Sequence, residues 1–141
     1  MKKMTIGYTS GVYDLFHIGH LNMLRNAKSL CDKLIVGVTT DELVSYKNKK
    51  AVIPFNERVE IVRSIKCVDA VVPQEDMDKM EQWKKLKFDV MFVGDDWYNT
   101  DKWKAFEDDF KQVGVQIVYF PYTKGVSSTK INSILKDQRK V

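Results

Sequence analysis

The chain has 141 residues, the usual size of one domain with little room for two, and 44% are hydrophobic, enough for a packed core. Its 23 Lys and Arg against 19 Asp and Glu leave a formal net charge of +4, which suits an anionic partner without identifying one. No apolar stretch nears the roughly 20 residues that span a bilayer, and no unbroken apolar run follows Lys2 and Lys3, so a membrane span is excluded and a cytoplasmic location is expected.

Short β-type runs alternate with segments of helical period. Met4–Tyr8 reads as the first strand. Ile18–Leu30 follows as a helix striped by Leu21, Leu24, Ala27 and Leu30. Lys33–Thr40 is a second strand whose unbroken apolar run fits burial on both faces. Val44 to Pro54 is the longest polar interruption, with three lysines, and a helix over Phe55–Lys66 starts after Pro54. Ala70–Val72 is a short strand, Asp78–Leu86 a helix, Val90–Val93 a strand, Lys102–Gln112 a helix and Val115–Phe120 a fifth strand. Ser127–Leu135 closes the chain as a helix. Cys31 and Cys67 lack metal-ligand spacing and read as small, partly buried hydrophobes. Trp83, Trp103 and Phe106 read as packing residues.

This alternation implies an α/β fold, a parallel sheet with helices on both faces, in one domain over residues 1–141. Ligands of such sheets sit beyond the carboxyl ends of the strands. That rule selects the Thr9–His20 turn, the Lys47–Lys50 loop, Gly94–Trp97 and Tyr122–Thr129.

The two histidines of the chain lie in the first of these places, in GVYDLFHIGH. Gly11, among Thr9, Ser10 and Val12, lets backbone approach a ligand. A helix start attracts phosphate through its free N–H groups and dipole. His17 and His20, three apart, share one side of the first turn and can donate to phosphate oxygens. Asp14 either orients neighbours or is an ordinary turn residue. Arg58 either braces the lysine loop or pairs with Glu57 or Glu60 at the surface. Ser127, Ser128 and Thr129 can cap the last helix and bind phosphate at once. Nothing resembles an array of aromatic and basic residues that reads RNA, so no nucleic-acid partner is expected.

GVYDLFHIGH, with its HxGH core, resembles the signature of the HxGH nucleotidyltransferases. YTKGVSST at Tyr122–Thr129 is similar to that family's second element, usually R-T-x-G-I-S-T-T. TTDE (39–42), KNKKA (47–51), ER (57–58), VD (68–69) and VGDDW (93–97) resemble the small bacterial glycerol-3-phosphate cytidylyltransferases. The likeness spans about Met4 to Leu135.

The resemblance implies a Rossmann-like fold and transfer of CMP from CTP to a small phosphorylated alcohol, with magnesium accompanying the nucleotide. His17, His20, Lys47, Lys49 and Asp14 would serve the reaction. Thr9, Ser10, Gly11, Val12, Gly94, Asp95, Asp96, Trp97, Gly125, Ser127, Ser128 and Thr129 would hold the nucleotide. Trp97 is otherwise a core aromatic. A homodimer is implied as well. The chain departs from the pattern at Tyr122 and Lys66, where arginines are usual, and at Lys124, where an acid is common. Adenylyl transfer within the same superfamily, other acceptors such as choline or ethanolamine phosphate, and a non-catalytic nucleotide- or RNA-binding module stay open on the residues alone.

Overall fold

The structure, a computed structural model, describes residues 4–46, 50–95 and 98–121. Five strands form one parallel sheet in the order β3-β2-β1-β4-β5. They are β1 (Ile6–Gly11), β2 (Lys33–Thr39), β3 (Ala70–Gln74), β4 (Val90–Gly94) and β5 (Gln116–Phe120). The helices are α1 (Ile18–Ser29), α2 (Asp41–Tyr46), α3 (Phe55–Arg63), α4 (Lys79–Leu86) and α5 (Asp101–Gln112).

Each sheet face has its own core. Leu24 and Ala27 of α1 and Val62 of α3 pack with Leu34, Val36, Val38 and Phe92. On the opposite face Trp103 and Phe110 of α5 pack with Tyr8, Phe88 and Met91, and Met80 and Trp83 of α4 lean on them. Helices on both faces are what the apolar runs of β2 and β4 require. Cys31 and Cys67 pack half-buried against the first core, and Trp83, Trp103 and Phe106 pack against the second, as expected.

Several boundaries differ from the expected ones. β1 begins at Ile6 and runs on to Gly11, because pairing with β2 from Ile6↔Lys33 to Gly11↔Val38 holds its small residues extended. β3 continues through Pro73 to Gln74; it is an edge strand, where proline's missing donor is tolerated. α3 stops at Arg63, where Ser64 caps it. α2 occupies part of the expected loop from Val44, and Leu43 N–H donates to Thr40 Oγ1 at its start. The helix expected over Ser127–Leu135 lies outside the described residues.

The two edges of the sheet do different work. At the amino edge, backbone N–H groups of Thr5, Ile6 and Leu34 donate to the carboxylates of Asp32, Asp89 and Asp69. Asp69 also pairs with Lys28 of α1 at 2.6 Å. These bonds fix the strand starts and give the VD pair at 68–69 a role in the sheet. At the carboxyl edge the chain turns toward opposite faces from the neighbouring strands β1 and β4. That divergence opens the crevice in which ligands of such sheets bind. Thr9 Oγ1 donates to Phe92 O at 2.9 Å and ties the two strands together there.

Candidate active site

The turn from β1 into α1 presents both histidines at this crevice. His17 is the N-cap of α1 in an extended conformation. Gly19 N–H donates to His17 Nδ1 at 3.0 Å, and His17 N–H donates to His20 Nδ1 at 3.2 Å. This is a capping box built from imidazoles, each satisfying a donor that the helix start leaves open. The rings stack 3.9 Å apart, and His20 also sits edge-on to Tyr13.

The caps set the chemistry. A neutral imidazole whose Nδ1 accepts must carry its proton on Nε2. Burial lowers the pKa of His17. Burial, and then the neighbouring His17 ring, push that of His20 down to about 4, with Asp14 opposing. Both rings are therefore neutral Nε2–H donors at neutral pH. His17 Nε2 is buried and has no hydrogen-bond partner among the described residues. A buried donor without an acceptor costs about 1–3 kcal/mol, and a phosphate oxygen would relieve that cost.

Around the histidines the turn is held by polar contacts. The two carboxylate oxygens of Asp14 accept Val52 N–H at 2.8 Å and Ile53 N–H at 3.0 Å, so Asp14 orients the segment behind the turn. Arg58 is wholly buried. Its guanidinium donates to the carbonyls of Ile53, Val12 and Thr39 at 2.7–2.8 Å and to Asp41 Oδ1 at 2.6 Å. Arg58 thus ties the exits of β1 and β2 to Ile53 and Asp41, whereas Lys47 and Lys49 of the lysine loop lie outside the described residues; Glu60 pairs with Arg63. Asp41 Oδ2 accepts Phe55 N–H at 3.1 Å. That bond, then Arg58, holds its carboxyl below the usual carboxylate range.

The remaining candidates divide. Gly94 ends β4 at this edge, and Asp95 follows it, exposed. Ser10 lies at the edge on the α4 side and Val12 in the turn itself. A Cβ on Gly11 would stand 3.2 Å from the Tyr13 ring, so glycine there makes room for Tyr13. Lys66 is not brought to the site. It is exposed in the connection from α3 to β3, at the amino edge, because a parallel strand must be entered from the end opposite the one where α1 begins. Lys47, Lys49, Asp96, Trp97, Tyr122, Lys124, Gly125, Ser127, Ser128 and Thr129 lie outside the described residues.

Two residues at this edge were not anticipated. Asp41 had a legible signal, since Thr40-Asp41-Glu42 has the composition of a helix start. Lys79 had none. It follows the capping Asp78 as an ordinary surface lysine would, yet it is 7% exposed, and its Nζ donates to Ser10 Oγ at 3.1 Å.

Residues 8–134 match the model of the cytidylyltransferase-like family. The chain is 36% identical over 128 residues to the glycerol-3-phosphate cytidylyltransferase of Staphylococcus aureus, covering 90% of this chain and 92% of that one. It is 35% identical over 130 residues to the FAD synthase of Pyrococcus abyssi, covering 89% and 86%. A lipopolysaccharide core biosynthesis protein from Thermoplasma volcanium has the same fold, with a TM-score of 0.73 at 24% identity over 88% of this chain and all of that one.

Proposed function

The chain belongs to the cytidylyltransferase-like nucleotidyltransferases, and from that premise we propose that it transfers CMP from CTP to a small phosphorylated alcohol, with glycerol 3-phosphate the first candidate. The observation that carries this reading is the pair of neutral Nε2–H donors fixed by the capping box at the sheet's crevice. A phosphate oxygen of the acceptor attacks the α-phosphorus of CTP. The bond from that phosphorus to the bridging oxygen breaks, and pyrophosphate leaves with the electron pair. The protein's part is alignment and stabilisation of charge building on phosphate oxygens. His17 and His20 donate Nε2–H to those oxygens while their Nδ1 atoms stay engaged in the capping box. Lys47, Lys49 and the Ser127–Thr129 hydroxyls complete the phosphate site in this proposal, and Lys79 beside Ser10 adds a cation suited to a second anionic substrate. A homodimer, checked by analytical ultracentrifugation, is part of it.

Magnesium enters with the nucleotide. No group of three His, Cys, Asp or Glu side chains is placed to hold a metal among the described residues, and both Asp14 oxygens accept backbone N–H groups. These residues fit an ion carried chiefly by the triphosphate, the usual habit of magnesium. Bound there, it would neutralise charge on the leaving group.

The likeness to an FAD synthase supports a second reading, adenylyl transfer from ATP. A pyrophosphate-release screen separates the two. CTP and ATP are crossed with glycerol 3-phosphate, choline phosphate, ethanolamine phosphate and FMN, with and without magnesium. The expected result is release with CTP and glycerol 3-phosphate that requires the divalent ion. Release with ATP and FMN but not with CTP would replace the first reading with the second.

A further inference from the structure

The turn that delivers His17 is strained. Tyr13 and Leu15, neither of them glycine, hold φ values of 55° and 51° on either side of Asp14. Left-handed conformations of such residues are unfavourable and persist only where their surroundings impose them. Two sets of bonds impose this one. Asp14 accepts from Val52 and Ile53. Arg58 takes the carbonyl of Val12, the residue just before the first strained position, together with that of Thr39 at the end of β2 and that of Ile53. Asp41 orients the guanidinium from its outer side and binds Phe55 N–H at the first turn of α3. One buried fork thus joins the exit of β1, the exit of β2, α2 and the entry to α3.

We propose that Arg58 and Asp41 are positioning residues for nucleotidyl transfer: they hold the strained Val12–Phe16 turn in the one conformation that makes His17 the cap of α1 and aims both imidazoles at the crevice. Arg58 is 0% exposed, so it acts through the turn and not on a substrate. Lysine cannot replace it, because a single ammonium cannot span carbonyls from three segments and a carboxylate with fixed geometry.

The proposal rests on the transfer reaction above, so one arm of its test is independent of turnover. Arg58→Lys and Asp41→Asn are compared with wild type by steady-state kinetics and by the histidine ring 15N signals of the ligand-free protein. Asp41 is half-exposed at its side chain, so Asp41→Asn is the variant expected to fold even if Arg58→Lys does not. We expect Asp41→Asn to lower kcat on the order of tenfold, the scale of a small misplacement of reacting groups, with KM for both substrates within about threefold. The His17 and His20 ring signals should move or split as the turn relaxes. Wild-type kcat with unmoved histidine signals in folded Asp41→Asn would overturn the proposal, as would a rise in KM at constant kcat. Absence of pyrophosphate release from the wild type would sink the transfer reading instead, and the ring signals would still judge the strap.

Discussion

Replacing His17 with Asn is expected to lower kcat by on the order of a hundredfold while leaving the fold intact. Asparagine is among the best N-caps, so its side-chain oxygen can take the Gly19 N–H that His17 Nδ1 accepts. What it cannot supply is a donor at the place of Nε2. Removing one preorganised donor from developing phosphate charge costs about 2.7–4 kcal/mol in the barrier. His17→Ala would lose the donor and the cap together, adding about 1 kcal/mol of instability; the asparagine variant separates the two roles. His20→Ala should cost as much in turnover, since it removes the second imidazole of the capping box together with the Nδ1 that accepts the N-cap N–H. Steady-state pyrophosphate release against urea unfolding curves makes the comparison. Turnover of His17→Asn within a few-fold of wild type would leave His17 as a cap only.

The second large effect concerns the sheet beneath the site. Gly37→Ala is expected to destabilise the protein by about 1–3 kcal/mol, the range for overpacking a well-packed core. A Cβ at Gly37 would overlap Tyr8 Oη and stand 3.0 Å from Tyr8 Cζ. Tyr8 cannot retreat, because it is fully buried and stacked on Phe88 at 4.9 Å. Among the described residues its hydroxyl has no partner in good hydrogen-bond geometry, with Ser10 and Gln82 nearby. Tyr8→Phe should therefore cost little by itself and should recover part of the Gly37→Ala loss, a non-additive pair. Urea midpoints of the two single variants and the double variant decide this. A Gly37→Ala midpoint equal to wild type would show that β1 and β2 can part locally.

Much of this was legible in the sequence because it depends on local pattern. The alternating apolar runs specify strands buried on both faces, and the rule for parallel sheets then places His17 and His20 at the carboxyl edge. The rest depends on contacts between distant segments. Arg58 reads as a surface residue or a brace with equal ease, because its partners Val12, Thr39 and Asp41 lie 46, 19 and 17 residues away. Lys79 gives no sign of burial from its neighbours. Lys66 stands at a family position where arginine is usual, yet the path of the chain puts it at the amino edge, and a motif says nothing of which sheet edge it occupies. Gly11 reads as room for a ligand; what the sequence does not show is that a side chain there would meet the Tyr13 ring, placed by a backbone conformation that no propensity favours.

The most direct measurement is a 15N-resolved titration of the two histidines, run with and without CTP and magnesium. In the ligand-free protein His20 should stay neutral, protonated on Nε2, until the pH falls to about 4, and His17 should titrate below the ordinary range of about 6.5. Stability linked to the neutral rings should be complete above that range and fall as the pH drops toward 4, because the unfolded chain takes up protons first. Adding CTP at neutral pH should shift both Nε2–H resonances and leave the Nδ1 signals those of acceptors. Rings that titrate near 6.5 with the proton on Nδ1, and that do not respond to CTP, would contradict the account.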